Sequence, residues 1–511
     1  MFIRKLLFFI VAVCLYNLSF SQTPEDALKN AWFIPYGTAR SISIGGAMGS
    51  LGGDISAVYT NPAGLGMYKT RELVITPSFL LNNNSADYRG TGTSNVNKSG
   101  FQLGTVGAVI GGKINYANNS SAFAITVNQL ASYNNHIHYS GLNDYSSYSE
   151  QYLEELTNDN ADVNAASNNY PFGSSLAFFT YLVDSIADPQ GNLTGYRSLV
   201  PVADGILQDY NETDKGGLYE VSVGFASNKM DKLYIGASIN VPLSFYTQDV
   251  TYTESDKSDN TDNNFDFSQL NQHHTLSGAG LNARLGLIYR LENSLRLGFA
   301  FHSPSIITFT DNLNVNMTTN TEGYAGLQTA KSSDFPNAVS ETRYNEITPY
   351  KLLASASYVI NEVENVKLQK GFITGDIEYV NYRGSRFFQE GDNQDESLTD
   401  YYNSLNDIIK SYYKGAFNFR LGGELKFAPI AVRLGGAYYG SPYKDKTLKA
   451  NRILAAGGLG YRNNGFFVDL TLAETFNKDV NFPYRLNDKA NTFAQLKNKR
   501  TNVIVSFGIK F

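Results

Sequence analysis

Residues 233–246, LYIGASINVPLSFY, alternate along their whole length. Leu233, Ile235, Ala237, Ile239, Val241, Leu243 and Phe245 take one face of an extended strand, and Tyr234, Gly236, Ser238, Asn240, Ser244 and Tyr246 take the other. Because successive strand side chains point to opposite faces, one face is apolar and the other is mostly small or polar. A strand of this kind suits a wall between lipid and a polar lumen. The run after Ser294 repeats it, with Leu295, Leu297, Phe299 and Phe301 against Arg296, Gly298, Ala300 and His302. A charge facing lipid near mid-bilayer costs roughly 2 to 4 kcal/mol, so Arg296 must point inward or sit at a rim.

About fourteen such runs follow one another, near 71–82, 101–115, 120–140, 217–228, 232–254, 270–291, 294–317, 343–361, 368–389, 414–428, 430–444, 451–463, 465–478 and 497–511. An even number closes a single-chain barrel. Connections alternate between short turns (117–119, 229–231, Glu292-Asn293, Pro429, Asn463-Asn464) and long segments (83–100, 141–216, 255–269, 318–342, 390–413, 479–496). This predicts an all-β transmembrane antiparallel barrel over 68–511, with turns at one rim and extracellular loops at the other. The last strand carries Val503, Val505, Phe507, Ile509 and Phe511 on one face.

Composition supports the class. The 511 residues hold 13% aromatics, 35 Tyr, 45 Gly and only 14 Pro, and beyond the first residues no apolar run is long enough for a membrane helix. Arg4 and Lys5 before the apolar run Leu6–Leu15, then Ser19-Phe20-Ser21, predict a leader of residues 1–21, cleaved ahead of Gln22. Cys14, the sole cysteine, lies within it, so the mature chain has neither a disulfide framework nor a thiolate metal site. The net charge is −6, and removal of Arg4 and Lys5 makes the chain more acidic, which excludes a nucleic-acid footprint.

Ahead of the first strand stands Thr38–Lys69, TARSISIGGAMGSLGGDISAVYTNPAGLGMYK, with seven glycines between Ser41 and Gly66. Such a segment has little side-chain bulk and backbone shapes closed to other residues, as a plug in a confined space requires. Its residues Ser43-Ile44-Gly45-Gly46-Ala47, Gly52-Gly53-Asp54 and Asn61-Pro62-Ala63-Gly64-Leu65 resemble the N-terminal hatch of the FadL/TodX family of outer-membrane transporters. The resemblance implies a hatch over residues 22–67, shaped by Gly45, Gly46, Gly52, Gly53, Asp54 and the Asn61-Pro62-Ala63 turn. It also implies passive import of hydrophobic molecules such as long-chain fatty acids, in a bacterial outer membrane. An ordinary turn is the plainer reading of Asn61-Pro62.

The loop 141–216 places Leu199, Ala203, Ile206, Leu207 and Tyr210 on one helical face, and Tyr145, Tyr148, Tyr152 and Leu156 on another. Between them lies LAFFTYLV, residues 176–183; Leu398, Tyr401, Tyr402, Leu405, Ile408, Ile409 and Tyr412 predict an amphipathic helix of about four turns. In the resembled family, outer-loop helices form a greasy groove that captures ligand. Leu176, Phe178, Phe179, Tyr181, Leu405 and Ile409 are the candidate capture residues, with mutual packing over the barrel mouth as the alternative.

In the third strand Phe123, Ile125, Val127, Ala131, Tyr133 and Ile137 define a lipid face, and Gln129 falls on it. An unpaired amide in hydrocarbon is costly. The family's third strand kinks to open the wall sideways, which makes Gln129 the expected border of a lateral opening; a subunit contact or a bulge explains it equally.

His136 and His138 fall on the inward face of that strand, His302 is inward on another, and His273-His274 lie near an outer loop, so a haem receptor is a further alternative. His138 and Ser140 share a face without an acyl-transfer constellation. Gly46, Gly49 and Gly52 do not make a nucleotide-binding pattern, and the acidic run Glu254, Asp256, Asp259, Asp262, Asp266 lacks the frame of a calcium loop. The expected protein has no catalytic residues, metal or cofactor. Its partners would be outer-membrane lipid, lipopolysaccharide and a hydrophobic small molecule, and a non-transporting surface or secretion adaptor is the rival from another class.

Overall fold

A computed structural model describes residue 24 and residues 26–90, 93–114, 119–258, 260–292, 294–361, 369–391, 395–448 and 450–511. The leader expected over residues 1–21, the hatch residues Gln22, Thr23 and Glu25, most of the first short turn, Asp259 of the acidic run and Asn293 of a later turn lie outside the described residues.

Fourteen antiparallel staves close a single barrel. They are β1 (Arg71–Tyr88), β2 (Thr93–Ile114), β3 (Asn119–Ser132, resuming at Asn135–Asn143), β4 (Ile206–Lys229), β5 (Leu233–Asp256), β6 (Phe267–Arg290) and β7 (Leu295–His302 with Ile306–Asn320). The circuit continues through β8 (Glu341–Ile347 with Lys351–Ile360), β9 (Gly371–Asn381 with Arg386–Gln389), β10 (Gly415–Phe427), β11 (Ile430–Tyr439), β12 (Asn451–Asn463), β13 (Phe466–Asn481) and β14 (Ala494–Lys510). β1 pairs with β14 from Glu72↔Lys510 to Tyr88↔Ala494, so the sheet closes on itself. Closure satisfies the backbone within the sheet, which hydrocarbon demands.

The alternation lands as read. On β5, Ile235, Ile239, Val241 and Phe245 are exposed on the outer face, while Tyr234, Ser238, Asn240, Ser244 and Tyr246 are buried inside. Arg296 points inward and donates to the Leu51 carbonyl at 3.2 Å. Hairpin turns at Met230-Asp231 and Asn464-Gly465 have positive φ at both central residues, the backbone hand that tight hairpins need.

The long connections differ from expectation. β4, β5 and β6 run for 24 residues each, whereas about 9 to 11 cross a bilayer, so the staves stand well clear of the membrane. Only residues 89–92 separate β1 from β2; most of 83–100, and the flanks of 255–269, 318–342 and 479–496, are strand. There the outer face meets water instead of lipid, so tracts such as Asn82-Asn83-Asn84-Ser85 carry no apolar signature. Likewise Ile206, Leu207 and Tyr210 are strand on β4 instead of a helical face, because β3 and β5 pair with them.

The remaining loop matter forms a lid. Helices Ser149–Asn158, Val163–Asn168 and Ser174–Phe179 and the hairpin Val183–Ala187/Leu193–Ser198 pack on a tyrosine-rich core with Tyr88, Tyr139, Tyr148, Tyr152, Tyr210 and Tyr252. Helix Glu396–Tyr412 buries Tyr402, Leu405 and Ile409 against a second core.

Residues 26–67 run inside the barrel as short helices and turns, and the wall is thinned to receive them. Side chains on inward positions would collide with the segment's backbone: at Gly236 with Pro62, at Gly298 with Gly49, and at Gly422 and Gly435 with Ile44. Overpacking of a tight site costs about 1 to 3 kcal/mol. Gly435→Val should therefore leave a heat-resistant barrel band in detergent gels yet expose residues 26–67 to limited proteolysis, whereas a protected segment would mean that the contact is slack.

Candidate functional site

The inner segment is held to the wall by polar bonds along its length. Ala39 N–H donates to Ser506 Oγ at 2.8 Å, and Thr471 Oγ1 donates to the Ala39 carbonyl at 2.6 Å. Gly49 N–H donates to Asp376 at 3.2 Å, Ser238 donates to the Val58 carbonyl at 3.2 Å, and His302 Nε2 donates to the Thr60 carbonyl at 2.8 Å. Arg40 Nε lies 3.5 Å from Glu424, itself paired with Arg433 at 2.5 Å.

The eight residues singled out from sequence form the turns of this segment. Gly45, Gly46, Gly52 and Gly53 all have φ between 63° and 76°, the left-handed region where glycine is favoured. Asp54 accepts from Thr38 Oγ1 at 3.0 Å and from the Ser56 N–H at 3.0 Å. Asn61 Oδ1 accepts from the Ala63 N–H at 3.1 Å, capping the 3₁₀ helix Pro62–Met67. Its Nδ2 donates to the carbonyls of Gly49 at 2.6 Å and of Leu287 and Phe299 at 3.3 Å each. One amide thus ties two turns of the segment to β6 and β7.

Above the segment lies a cavity of about 1190 Å³. Its apolar lining includes Trp32, Phe33, Ile34, Ile42, Leu454 and Ile504; its charged lining includes Asp26, Lys29, Glu212, Asp214, Arg452 and Arg500. The lining is thus mixed, because the staves present Leu454 and Ile504 to the cavity beside Arg452 and Arg500. None of Leu176, Phe178, Phe179, Tyr181, Leu405 and Ile409 lines it. Leu176, Leu405 and Ile409 are core of the lid, Phe178 packs on that core, and Phe179 and Tyr181 are exposed against Phe335 and Tyr324. Two lid residues outside that set, Tyr152, which the sequence marks only as part of a helical face, and Glu155, do face the cavity. Burial raises the Glu155 carboxyl above its usual range, while Ser174 Oγ donates to it.

Pairing along the wall lapses between β2 and β3. β2 and β3 pair from Ile114↔Asn119 only as far as Thr105↔Asn128. At that point Leu130 is an extra residue, since Gln129 opposes Tyr219 and Ala131 opposes Leu218. The bulge turns Ala131, Tyr133 and Ile137 into the interior, in contrast to the lipid face expected of them, while Gln129, the residue before the extra one, stays opposite Tyr219 of β4 and is itself buried. Tyr133 Oη donates to Asn30 Oδ1 of the plug at 2.6 Å. Beyond the bulge the strand re-enters behind β1, whose inward Asn82 donates to the Asn134 carbonyl at 3.0 Å and Asn84 to the His136 carbonyl. Gln102 Nε2 spans the divergence to Ser132 Oγ at 2.7 Å, and Tyr36 N–H of the plug donates to the Leu130 carbonyl at 3.4 Å. Ala131, Ser132, Tyr133 and Tyr36 also line the cavity.

The same shift of parity moves His136 and His138 to the outer side, where they meet Asn211 at 2.9 Å and Asp209 at 3.0 Å. His273 pairs with Asp249 at 2.6 Å and His274 with Asp311 at 2.7 Å. The five imidazoles thus engage separate partners, and no cluster able to hold a metal ion occurs among the described residues.

Asn61→Ala would leave three carbonyls short of a donor, at about 1 to 3 kcal/mol. Backbone amides of residues 44–64 should then exchange with deuterium at least tenfold faster while those of β6 and β7 keep their protection; unchanged exchange would show that Asn61 does not pin the plug.

No family model matches the chain, and no curated protein matches it. Solved structures do. A FadL homologue of Pseudomonas aeruginosa superposes with a TM-score of 0.54 at 12% identity, covering 94% of this chain and 100% of the other. The Pseudomonas putida toluene transporter TodX gives 0.51 at 12% identity, with 94% and 99% covered. The fold is that of the FadL/TodX-type outer-membrane barrels, with an N-terminal plug.

Proposed function

We propose that the protein is a passive outer-membrane channel for hydrophobic molecules, long-chain fatty acids among them. One observation carries this reading: a cavity that is floored by the plug also reaches the breach between β2 and β3. A ligand entering from the lid side would rest its apolar part on Trp32, Ile34, Ile42, Leu454 and Ile504, where burial returns about 25 cal/mol per Å². A carboxylate end would find Arg452 and Arg500 on the same wall. The way onward is lateral, past Leu130 and Ser132 into the outer leaflet, and requires only that the Tyr36 and Gln102 contacts part. No nucleotide or covalent step enters. The structures that share the fold include a toluene transporter, which supports a hydrophobic cargo.

The bulge is the testable part. Deleting Leu130 restores regular opposition of β3 to β4 without shifting their pairing above or below. Cells carrying the deletion should take up radiolabelled oleate or toluene at least tenfold more slowly than wild type, with the same amount of folded barrel. Equal uptake would remove the lateral route; wild-type uptake no greater than that of cells lacking the protein would remove the function.

A further inference from the structure

Residues 26–33 of the plug rise into the cavity, and one of their side chains sits as a ligand would. Lys29 Nζ lies 3.6 Å from the centre of the Tyr246 ring and 2.9 Å from Asp26 Oδ1. Tyr246 Oη donates to Asp214 Oδ1 at 2.7 Å, and Tyr210 Oη donates to Glu212. All of these residues line the cavity. An ammonium on an aromatic face, backed by carboxylates, is the arrangement by which proteins recognise organic cations.

The surroundings are acidic. Glu212 and Asp214 come from β4 and Asp26 from the plug, with Glu346 of β8 bound to Asn30 and Asp311 of β7 engaged by His274. Lys98 reaches the Asp214 carbonyl at 2.7 Å. Three residues beyond Lys29, the Trp32 ring lies 4.1 Å beneath the Arg452 guanidinium. The turn is therefore pinned at two charged points of the cavity wall.

We propose that Tyr246, Asp214 and Glu212 form a subsite for the ammonium group of an amphiphilic ligand, and that Lys29 fills it in the seated plug. Ligand ammonium and Lys29 then compete, so binding unseats residues 26–33 and loosens the plug from above. A ligand that binds only the unseated form shifts the equilibrium toward it. This rests on the uptake reading and specifies which hydrophobic molecules the channel favours.

Trp32 is the only tryptophan of the chain and lines the cavity, so its emission reports occupancy. The detergent-solubilised full barrel would be titrated with octylammonium, octanol and octanoate. The expected result is tighter binding of octylammonium than of octanol. Lys29→Met should tighten octylammonium about tenfold, leave octanol within about twofold, and lose that gain in the Lys29→Met/Tyr246→Leu double variant; a tenfold change is about 1.4 kcal/mol. Should Lys29→Met fail to give a heat-resistant barrel, Lys29→Gln carries the same comparison. Equal tightening of octanol and octylammonium, or none of either, overturns the subsite while leaving the channel intact. If none of the three amphiphiles moves Trp32, the cavity does not hold hydrophobic molecules and the uptake reading falls with it.

Discussion

Everything inside this barrel depends on backbone lying against backbone. The plug passes within van der Waals contact of the wall at Gly236, Gly286, Gly298, Gly422 and Gly435, where a single methyl would strike Pro62, Asn61, Gly49 or Ile44. Such contact is possible only if the wall lacks side chains at the meeting point, so inward glycines on the staves receive the plug. The approach also brings plug carbonyls within reach of wall hydroxyls and amides, which is why Ala39, Val58, Thr60 and Gly66 are satisfied by Thr471, Ser238, His302 and Ser120. A backbone buried away from water has to find such partners.

Once the plug excludes water, the lumen can hold charges only in pairs. Arg284 grips Glu220 through two bonds of 2.6 and 2.8 Å, Arg420 meets Glu378 at 2.7 Å, and fully buried Arg433 bridges Glu424 and Asp469. Removing one member of such a pair leaves an uncompensated buried charge, so the plug and the ion pairs around it are mutually dependent. Arg40 joins the plug directly to this network through Glu424. Above the plug the constraint relaxes, and Arg452 and Arg500 line the cavity.

The wall was legible in the sequence because lipid imposes a period of two and tolerates few exceptions. Arg296 shows this, since the cost of a charge in hydrocarbon is enough to keep it off the lipid face. The turns of the plug were legible for the opposite reason, since Gly45, Gly46, Gly52 and Gly53 each mark a left-handed turn. The protruding parts of the staves were not, because above the membrane the outer face of Asn82–Tyr88 meets water and loses its signature. Nor were the cavity residues. Trp32 and Tyr246 sit 214 positions apart with nothing local to join them, and Leu176, Leu405 and Ile409 carried the apolar signal of a groove while serving as the core of the lid.

The third strand shows how one residue can change several conclusions at once. Alternation carries from Phe123 to Val127, and extended onward it sends Gln129, Tyr133 and Ile137 to lipid and His136 and His138 inward. Leu130 is one residue too many for β4, so every later side chain changes face. Tyr133 then reaches Asn30 of the plug, Ile137 joins the core of the lid, and the histidines turn outward. The strand parts from β2 at the same place, where β2 carries an extra residue of its own, Gly104, against β1, and a strand bends at such a bulge. Gln129, the last residue before the insertion, marks the position at which the register changes. The docking of Tyr133 on the plug and the placement of the histidines both follow from that one insertion.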